Sequence, residues 1–336
     1  MRVGLIGFGY WGKILSRCFS EVPGADVFFI ADISAVRREE ARRLFPRAML
    51  ASRWAELLGA DNVDAVAIAT PANTHFGIAK AALDAGKHIW VEKPLAETIS
   101  QAKALHMFAQ QRERVLFIDH TFLYDASVRL IKEILAQKKC EEIRYYQSIR
   151  TNSGQPRTDT SIFHDLAIHD FAILDFLVDE SPLAVSARKN TARGIPAPGE
   201  QRIALSYSSG LKAEICVNWC ASTKARRIAI TSDSQTLEFD DMELHHKMRL
   251  HEFPSLVTAE CGLCNVDAVR RIGRVLQLPS RKEPLAKAVE SFLHCISTGE
   301  RPVSDGWQGV RLAAVVDSCL LSAETDGRWV NVISVV

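Results

Sequence analysis

The sequence predicts an α/β chain in two parts: a doubly wound parallel sheet over residues 1–120, then an α+β region over residues 121–336 built on one large, open, mostly antiparallel sheet. Three observations lead there. The first 120 residues alternate wholly apolar strand-like runs with stretches of helical periodicity, the pattern of a parallel sheet covered on both faces. Beyond His120 the strand-like segments lengthen and switch to period two, as half-buried antiparallel strands do. A length of 336 residues is long for one domain and suits two.

The elements follow in order along the chain. RVGLIGFG is an apolar run that ends in glycines, and WGKILSRCFSEV follows with Ile14, Leu15, Cys18 and Phe19 at helical spacing. ADVFFIAD is a second buried strand, and SAVRREEARRLF a helix opened by Ser34 as its cap. VDAVAIAT and KHIWVE are two further strands, separated by the helical HFGIAKAALDAG, which Gly86 stops. TISQAKALHMFAQQRE then precedes the strand RVLFID. In the second part the helix DASVRLIKEILAQ leads into IRYYQSIR, then the helix IFHDLAIHDFAILDFL. LKAEICVNW follows, with Leu211, Ala213, Ile215, Val217 and Trp219 on one face, and then RRIAITS and TLEFDD. Two helices, PLAKAVESFLHCIS and GWQGVRLAAVVDSCLLSAE, close the chain. NTARGIPAPGE reads as a surface loop.

The composition is that of an ordinary soluble protein: 47% hydrophobic, 24% charged, formal net charge +1. No basic surplus favours nucleic acid or acidic membranes, so the expected partner is a small molecule. Neither a signal-peptide pattern nor a run of about 18 apolar residues is present, and the cytoplasm is the expected location. The eight cysteines are scattered in apolar patterns and read as reduced core residues. Cys261 and Cys264 form a CxxC with His245, His246 and His251 upstream. There is no second CxxC, and in the strand-like MELHHKMRLHEF adjacent histidines point to opposite faces, so no metal site is expected.

Gly7, Gly9 and Gly12 in GFGYWG have GxGxxG spacing. They follow a strand, open a helix, and precede by twenty residues an acidic residue, Asp32, at the end of the next strand. This is the fingerprint of a Rossmann dinucleotide site, with a tight turn at Gly7, close approach of pyrophosphate at Gly9, helix packing at Gly12, and helix amides, including those of Tyr10 and Trp11, toward the phosphates. A carboxylate at Asp32 accepts from both ribose hydroxyls and repels a 2′-phosphate, which favours NAD over NADP. Arg37 and Arg38, on a helix with Glu39 and Glu40, read as solvated surface charge.

Glu92, Lys93 and Pro94 stand at the carboxyl edge of a parallel strand, where open α/β sheets bind ligands. The proline ends the strand and fixes the direction of the backbone beyond the lysine; an X-Pro bond can also be cis. ATPANTH ends the preceding strand and sets Thr70, Pro71 and Thr74 beside the same nicotinamide edge, with His75 at a helix N-terminus as a capping or packing residue.

GLIGFGYWG, ATPANTH, GKHIWVEKPLA and HDLAIHD together resemble the Gfo/Idh/MocA family of NAD(P)-dependent sugar and cyclitol dehydrogenases, over essentially the whole chain. The C-terminal EPLAKAVESFLHCISTGERPVSDGWQGVRL resembles branches that oxidise nucleotide-linked sugars. The resemblance implies that the lysine of EKP, Lys93, is catalytic together with the D-x-x-x-H pair, Asp165 and His169. The i, i+4 spacing of that pair shares one face of a regular helix, with Asp170 facing another direction. At His164 the chain departs from the tryptophan or glycine common in the family.

His169 is then the natural general base for a secondary alcohol, Asp165 orients its ring, and Lys93 donates a hydrogen bond to the developing alkoxide. His120, Tyr124, Arg150 and Arg157 are candidates for lining the substrate, Arg157 for a phosphate or carboxylate. The expected substrate is a sugar, and the finer expectation is a nucleotide-linked sugar oxidised at C3. The alternatives are a free-sugar or inositol dehydrogenase, or a regulatory protein that senses dinucleotide and sugar without turnover. A sheet that helices cover on one side only predicts a homodimer or homotetramer through the other.

Overall fold

Each apolar run of the first 120 residues forms a strand in the computed structural model, which describes all residues except 138–142, 156, 159, 179, 191–198, 253–272, 281 and 336. The chain divides into two compact units, residues 1–125 with 282–314 and residue 335, and residues 126–281 with 315–334.

The first unit runs β1 (Arg2–Ile6), α1 (Tyr10–Glu21), β2 (Asp26–Ala31), α2 (Ala35–Leu44), β3 (Met49–Ala51), α3 (Trp54–Leu58), β4 (Ala65–Ile68), α4 (Ala72–Asp84), β5 (His88–Glu92), α5 (Ile99–Gln111) and β6 (Leu116–Asp119). All six strands are parallel, in the order β3-β2-β1-β4-β5-β6. The winding reverses between β1 and β4, which creates the crevice where doubly wound sheets take ligands. Local chemistry sets the helix ends. Ser34 and Thr98 accept backbone N–H bonds from Arg37 and Gln101 as caps of α2 and α5, and Gly86, in the left-handed region at φ 70°, follows α4 as expected. β3 and α3 are too short to leave a periodic signal.

The second unit opens with α6 (Ala126–Gln137) and β7 (Tyr145–Ser153), followed by α7 (Ile168–Leu177). Then come β8 (Ala184–Asn190), β9 (Glu200–Ser206), β10 (Lys212–Asn218), β11 (Cys220–Thr231), β12 (Gln235–Asp240), β13 (Met248–Glu252) and β14 (Arg274–Val275). α8 (Pro284–Thr298), α9 (Gly306–Glu324) and β15 (Val330–Asn331) end the chain. The sheet order is β14-β13-β12-β11-β7-β10-β9-β8-β15. Among the described residues every pairing is antiparallel except β7 with β10. The predicted stripe of Leu211, Ala213, Ile215, Val217 and Trp219 is buried throughout, none more than 4% exposed. The histidine-containing segment differs from expectation. His245 and His246 lie in the turn before β13, where Asp240 and Asp241 organise the backbone, not on a strand. Cys261, Cys264 and most of the loop at 190–200 lie outside the described residues.

α8 belongs to the first unit, far from it in sequence. The reason is aromatic packing on one face of the parallel sheet. Phe292 of α8 meets Trp90 at 5.6 Å, Phe117 at 5.5 Å and Phe19 at 6.2 Å between ring centroids, and Trp90 stacks on Phe117 at 4.4 Å. All four are at most 1% exposed. An ion pair from Arg17 to Glu283 at 2.7 Å joins α1 to the start of α8. Among the described residues no helix is long and apolar enough to cross a membrane.

Candidate active site

The glycine turn at the end of β1 has no room for side chains. A Cβ on Gly7, at φ +94°, would lie 2.5 Å from the Ala69 carbonyl oxygen, and one on Gly12 would lie 2.0 Å from the Gly7 oxygen. At Gly9 the nearest atom to such a Cβ is Arg37 Nη1 at 3.8 Å, so this side of the turn is open. Gly9 caps α1 without a side-chain bond, which leaves the first-turn amides of Tyr10, Trp11 and Gly12 for an external acceptor. This cradle fits a pyrophosphate. The dinucleotide's adenosine end has an apolar surface available in Ile33 and Tyr10, 89% and 82% exposed.

Asp32 has a second role that the motif does not reveal. Its buried carboxylate accepts the Phe8 amide at 2.7 Å and the Ser34 amide at 2.8 Å, and so pins the glycine turn to the β2–α2 turn. Each oxygen keeps lone-pair capacity for a ribose hydroxyl. Arg37 and Arg38 are not simply solvated, as the sequence suggested. Arg38 Nη1 donates to the Asp32 and Ile33 carbonyls, and Arg37 Nη1 stands 3.7 Å from the Asp32 carboxylate, while Glu39 pairs with Arg42 and Arg43 and Glu40 with Lys13.

The ends of β4, β5 and β6 bring further polar groups to the same sheet edge. Thr70 and Thr74 hydroxyls lie 2.6 Å apart, and Thr74 donates to the Pro71 carbonyl. His75 is buried, Nδ1 2.7 Å from the Pro94 oxygen and Nε2 2.9 Å from the Thr70 oxygen. The ring therefore braces the β4 end against the segment after Lys93. Burial lowers its pKa, against two carbonyls that favour the charged ring. The Lys93–Pro94 bond is cis. Glu92 is the partner of Asp119 in the β5–β6 register, and burial, then the Asp119 charge, push the Glu92 carboxyl well above the usual carboxylate range. Trp11 Nε1 donates to Asp119 at 3.1 Å, linking the glycine turn to β6. His120 is buried, and burial followed by the Lys93 charge pushes it down to about 3, so it is neutral at physiological pH.

In the second unit, Asp165 lies in a π-helical turn, Phe163–Ala167, and His169 is the second residue of the α-helix that follows. The four-residue spacing thus spans a junction of two helix types rather than the regular helix the sequence suggested; such insertions are frequent at functional sites. Asp165 Oδ2 accepts the Trp219 indole at 2.7 Å, and Oδ1 is 3.5 Å from Arg157 Nη1. Asp170 turns toward β7 and holds Arg150 Nε at 2.6 Å and the Ser148 hydroxyl; Arg150 and Asp170 are 4% and 0% exposed. Arg150 is therefore engaged inside the unit. Tyr124 is buried in the first unit with its hydroxyl 3.2 Å from that of Ser304.

The sheet edge thus gathers Trp11, Thr70, Thr74, His75, Glu92 and His120, while Asp165 stands with Arg157 and Trp219. Asp119 and Trp219 were not read as site residues. Trp219 ends an apolar stripe, which signals core, and Asp119 becomes visible only once β6 is laid beside β5.

Comparison with known proteins places this architecture. Residues 1–120 match the oxidoreductase family with an NAD-binding Rossmann fold, and residues 128–238 match the GFO/IDH/MocA C-terminal domain. UDP-N-acetylglucosamine 3-dehydrogenase of Acidithiobacillus ferrooxidans is 27% identical over 326 residues, 94% of each chain; a crystal form of it superposes with TM-score 0.81 at 25% identity, covering 97% of this chain and 98% of that one. The Escherichia coli uncharacterized oxidoreductase YdgJ is 36% identical over 203 residues, and the match spans only 57% of its length and 57% of this chain. A levoglucosan dehydrogenase in complex with NADH shares the fold, with TM-score 0.85 over all of both chains at 21% identity. With both parts of the chain matched and the glycine cradle intact, the protein belongs to the Gfo/Idh/MocA family of NAD-binding oxidoreductases.

Proposed function

We propose that the chain catalyses reversible hydride transfer between NAD and a secondary alcohol of a sugar, and that the sugar is a nucleotide-linked N-acetyl sugar oxidised at C3. The observation that carries the redox reading is the coincidence, at one edge of the parallel sheet, of an open phosphate cradle at Gly9 with the EKP lysine, its half-buried neighbour Glu92 and the buried Asp119. The substrate class is supported by the kinship with UDP-N-acetylglucosamine 3-dehydrogenase, which runs nearly end to end.

When bound, NAD supplies the acceptor for the hydride lost by the alcohol carbon. In this reading the protein handles the proton and the geometry. His169 takes the hydroxyl proton as general base, Asp165 holds the imidazole in its working orientation, and Lys93 donates a hydrogen bond to the oxygen as negative charge develops on it. Asp165 in turn has its direction fixed by the Trp219 indole. In the reverse direction the same groups return the proton. Arg157, exposed and near Asp165, is proposed to contact a substrate phosphate or carboxylate.

Mixing the protein with NAD and a panel of UDP-sugars, free sugars and inositols, and following NADH fluorescence, tests this. Turnover with UDP-N-acetyl sugars is expected. Turnover confined to free sugars or inositols overturns the substrate class, and binding without turnover overturns the enzymatic reading.

We also propose that the protein is cytoplasmic and assembles as a homodimer or homotetramer through the open face of the nine-stranded sheet. That face is a hollow of about 810 Å³ lined by Ile149 and by charges of both signs, among them Arg188, Arg202, Glu214 and Glu238. Light scattering of the wild type and of an Ile149→Lys variant measures the state; an unchanged monomer in both overturns it.

A further inference from the structure

Two carboxyl groups face each other at the edge of the first unit's sheet. Glu92 closes β5 and Asp119 closes β6, and they are partners in the β5–β6 register. Two carboxylates brought side by side repel, which favours a proton on one of them. The surrounding donors indicate which. Asp119 Oδ1 accepts from the Thr121 hydroxyl at 2.5 Å and Oδ2 from the Trp11 indole at 3.1 Å, so Asp119 has two fixed donors, of which only the indole also acts on Glu92. Glu92 Oε1 is buried and, among the described residues, lacks a hydrogen-bond partner, a setting that disfavours charge. The upward shift of the Glu92 carboxyl agrees. The other titratable groups here are Lys93, whose charge acts on Glu92 and on His120, and His120 itself, which stays neutral.

We propose that Glu92 and Asp119 act as one unit, a carboxyl pair that holds a single proton on Glu92 and sets one net negative charge beside Lys93. Both are positioning residues that act through the lysine. One charge keeps the Lys93 amine in its ammonium form while leaving its proton exchangeable. Two would hold that proton too tightly, and none would let the half-buried amine lose it. The role of Lys93 rests on the oxidoreductase reading; the shared proton does not.

Infrared spectra of the full-length protein test the pair without turnover. At pH 7 to 8 the wild type is expected to show a protonated-carboxyl band that Glu92→Gln removes. In Asp119→Asn that band titrates at lower pH, because the neighbouring anion is gone. Identical spectra for wild type and Glu92→Gln, or a band whose titration Asp119→Asn leaves unmoved, overturn the proposal. Where turnover is measurable, the alkaline limb of the kcat/KM profile is the second readout, whatever the absolute rate. Asp119→Asn is expected to move it down by about one pH unit or more, and Glu92→Gln, which mimics the neutral acid, to leave it in place. The opposite pattern puts the charge on Glu92 and overturns the assignment. Absence of turnover with a positive infrared result sinks the enzymatic reading and leaves the pair standing.

Discussion

Asp32 joins two tasks in one side chain. It meets the coenzyme's ribose in the proposed complex, and it satisfies the Phe8 and Ser34 amides in the free protein. Asp32→Ala is therefore expected to lower unfolding stability by about 1–3 kcal/mol, through buried donors left unpaired, as well as weakening NAD binding. Denaturant titration and NADH fluorescence read the two effects separately. His120 gives a second prediction. Its folded pKa of about 3 lies below the unfolded value near ~6.5, so its stabilising contribution is complete above the unfolded pKa and is lost as pH falls toward the folded one. Stability measured from pH 6.5 down to pH 4 should fall less steeply in His120→Leu, by about 1.4 kcal/mol per pH unit, the worth of one proton. At this scale the glycine turn was legible, because excluded volume at Gly7 and Gly12 leaves no other residue possible. Asp119 was not, since a lone acid after a strand has no spacing rule until its neighbour is known.

Among the elements, the segment from Phe163 to Leu177 carries the most local constraint. Its π turn and α-helix present Asp165 and His169, and the Arg150–Asp170 pair ties that helix to β7 from the buried side. Arg150→Ala strands a buried carboxylate and is expected to cost about 3–5 kcal/mol, measured by chemical denaturation. An Arg150→Met, Asp170→Leu double variant should recover much of that loss, because a packed apolar pair carries no desolvation cost. The helix itself was readable from its periodicity. The π turn was not, because one inserted residue shifts hydrogen bonding without changing composition. β8 and β9 have no counterpart among the expected strands: AVSARKN and EQRIALS alternate, but the charges on their polar faces dilute the apolar signal.

At the scale of the whole molecule, the fold class and the parallel sheet were legible, and the return of α8 was not. Amphipathic spacing says that a helix has an apolar face, without saying which sheet will receive it. Phe292 completes the cluster of Phe19, Trp90 and Phe117. A fragment of residues 1–125 should therefore leave Trp90 and Phe117 uncovered, and is expected to bind a hydrophobic dye and aggregate where the full chain does neither. Phe292→Ala in the full chain should cost about 3–5 kcal/mol.

That long-range closure has a temporal side. A ribosome delivers the coenzyme-binding half first, yet its aromatic cluster stays unfinished until a phenylalanine near the far end leaves the exit tunnel, on the order of ten seconds later at ordinary elongation rates. For that interval the nascent half exposes an indole and two phenyl rings, so synthesis itself sets the earliest moment at which NAD can find a completed site.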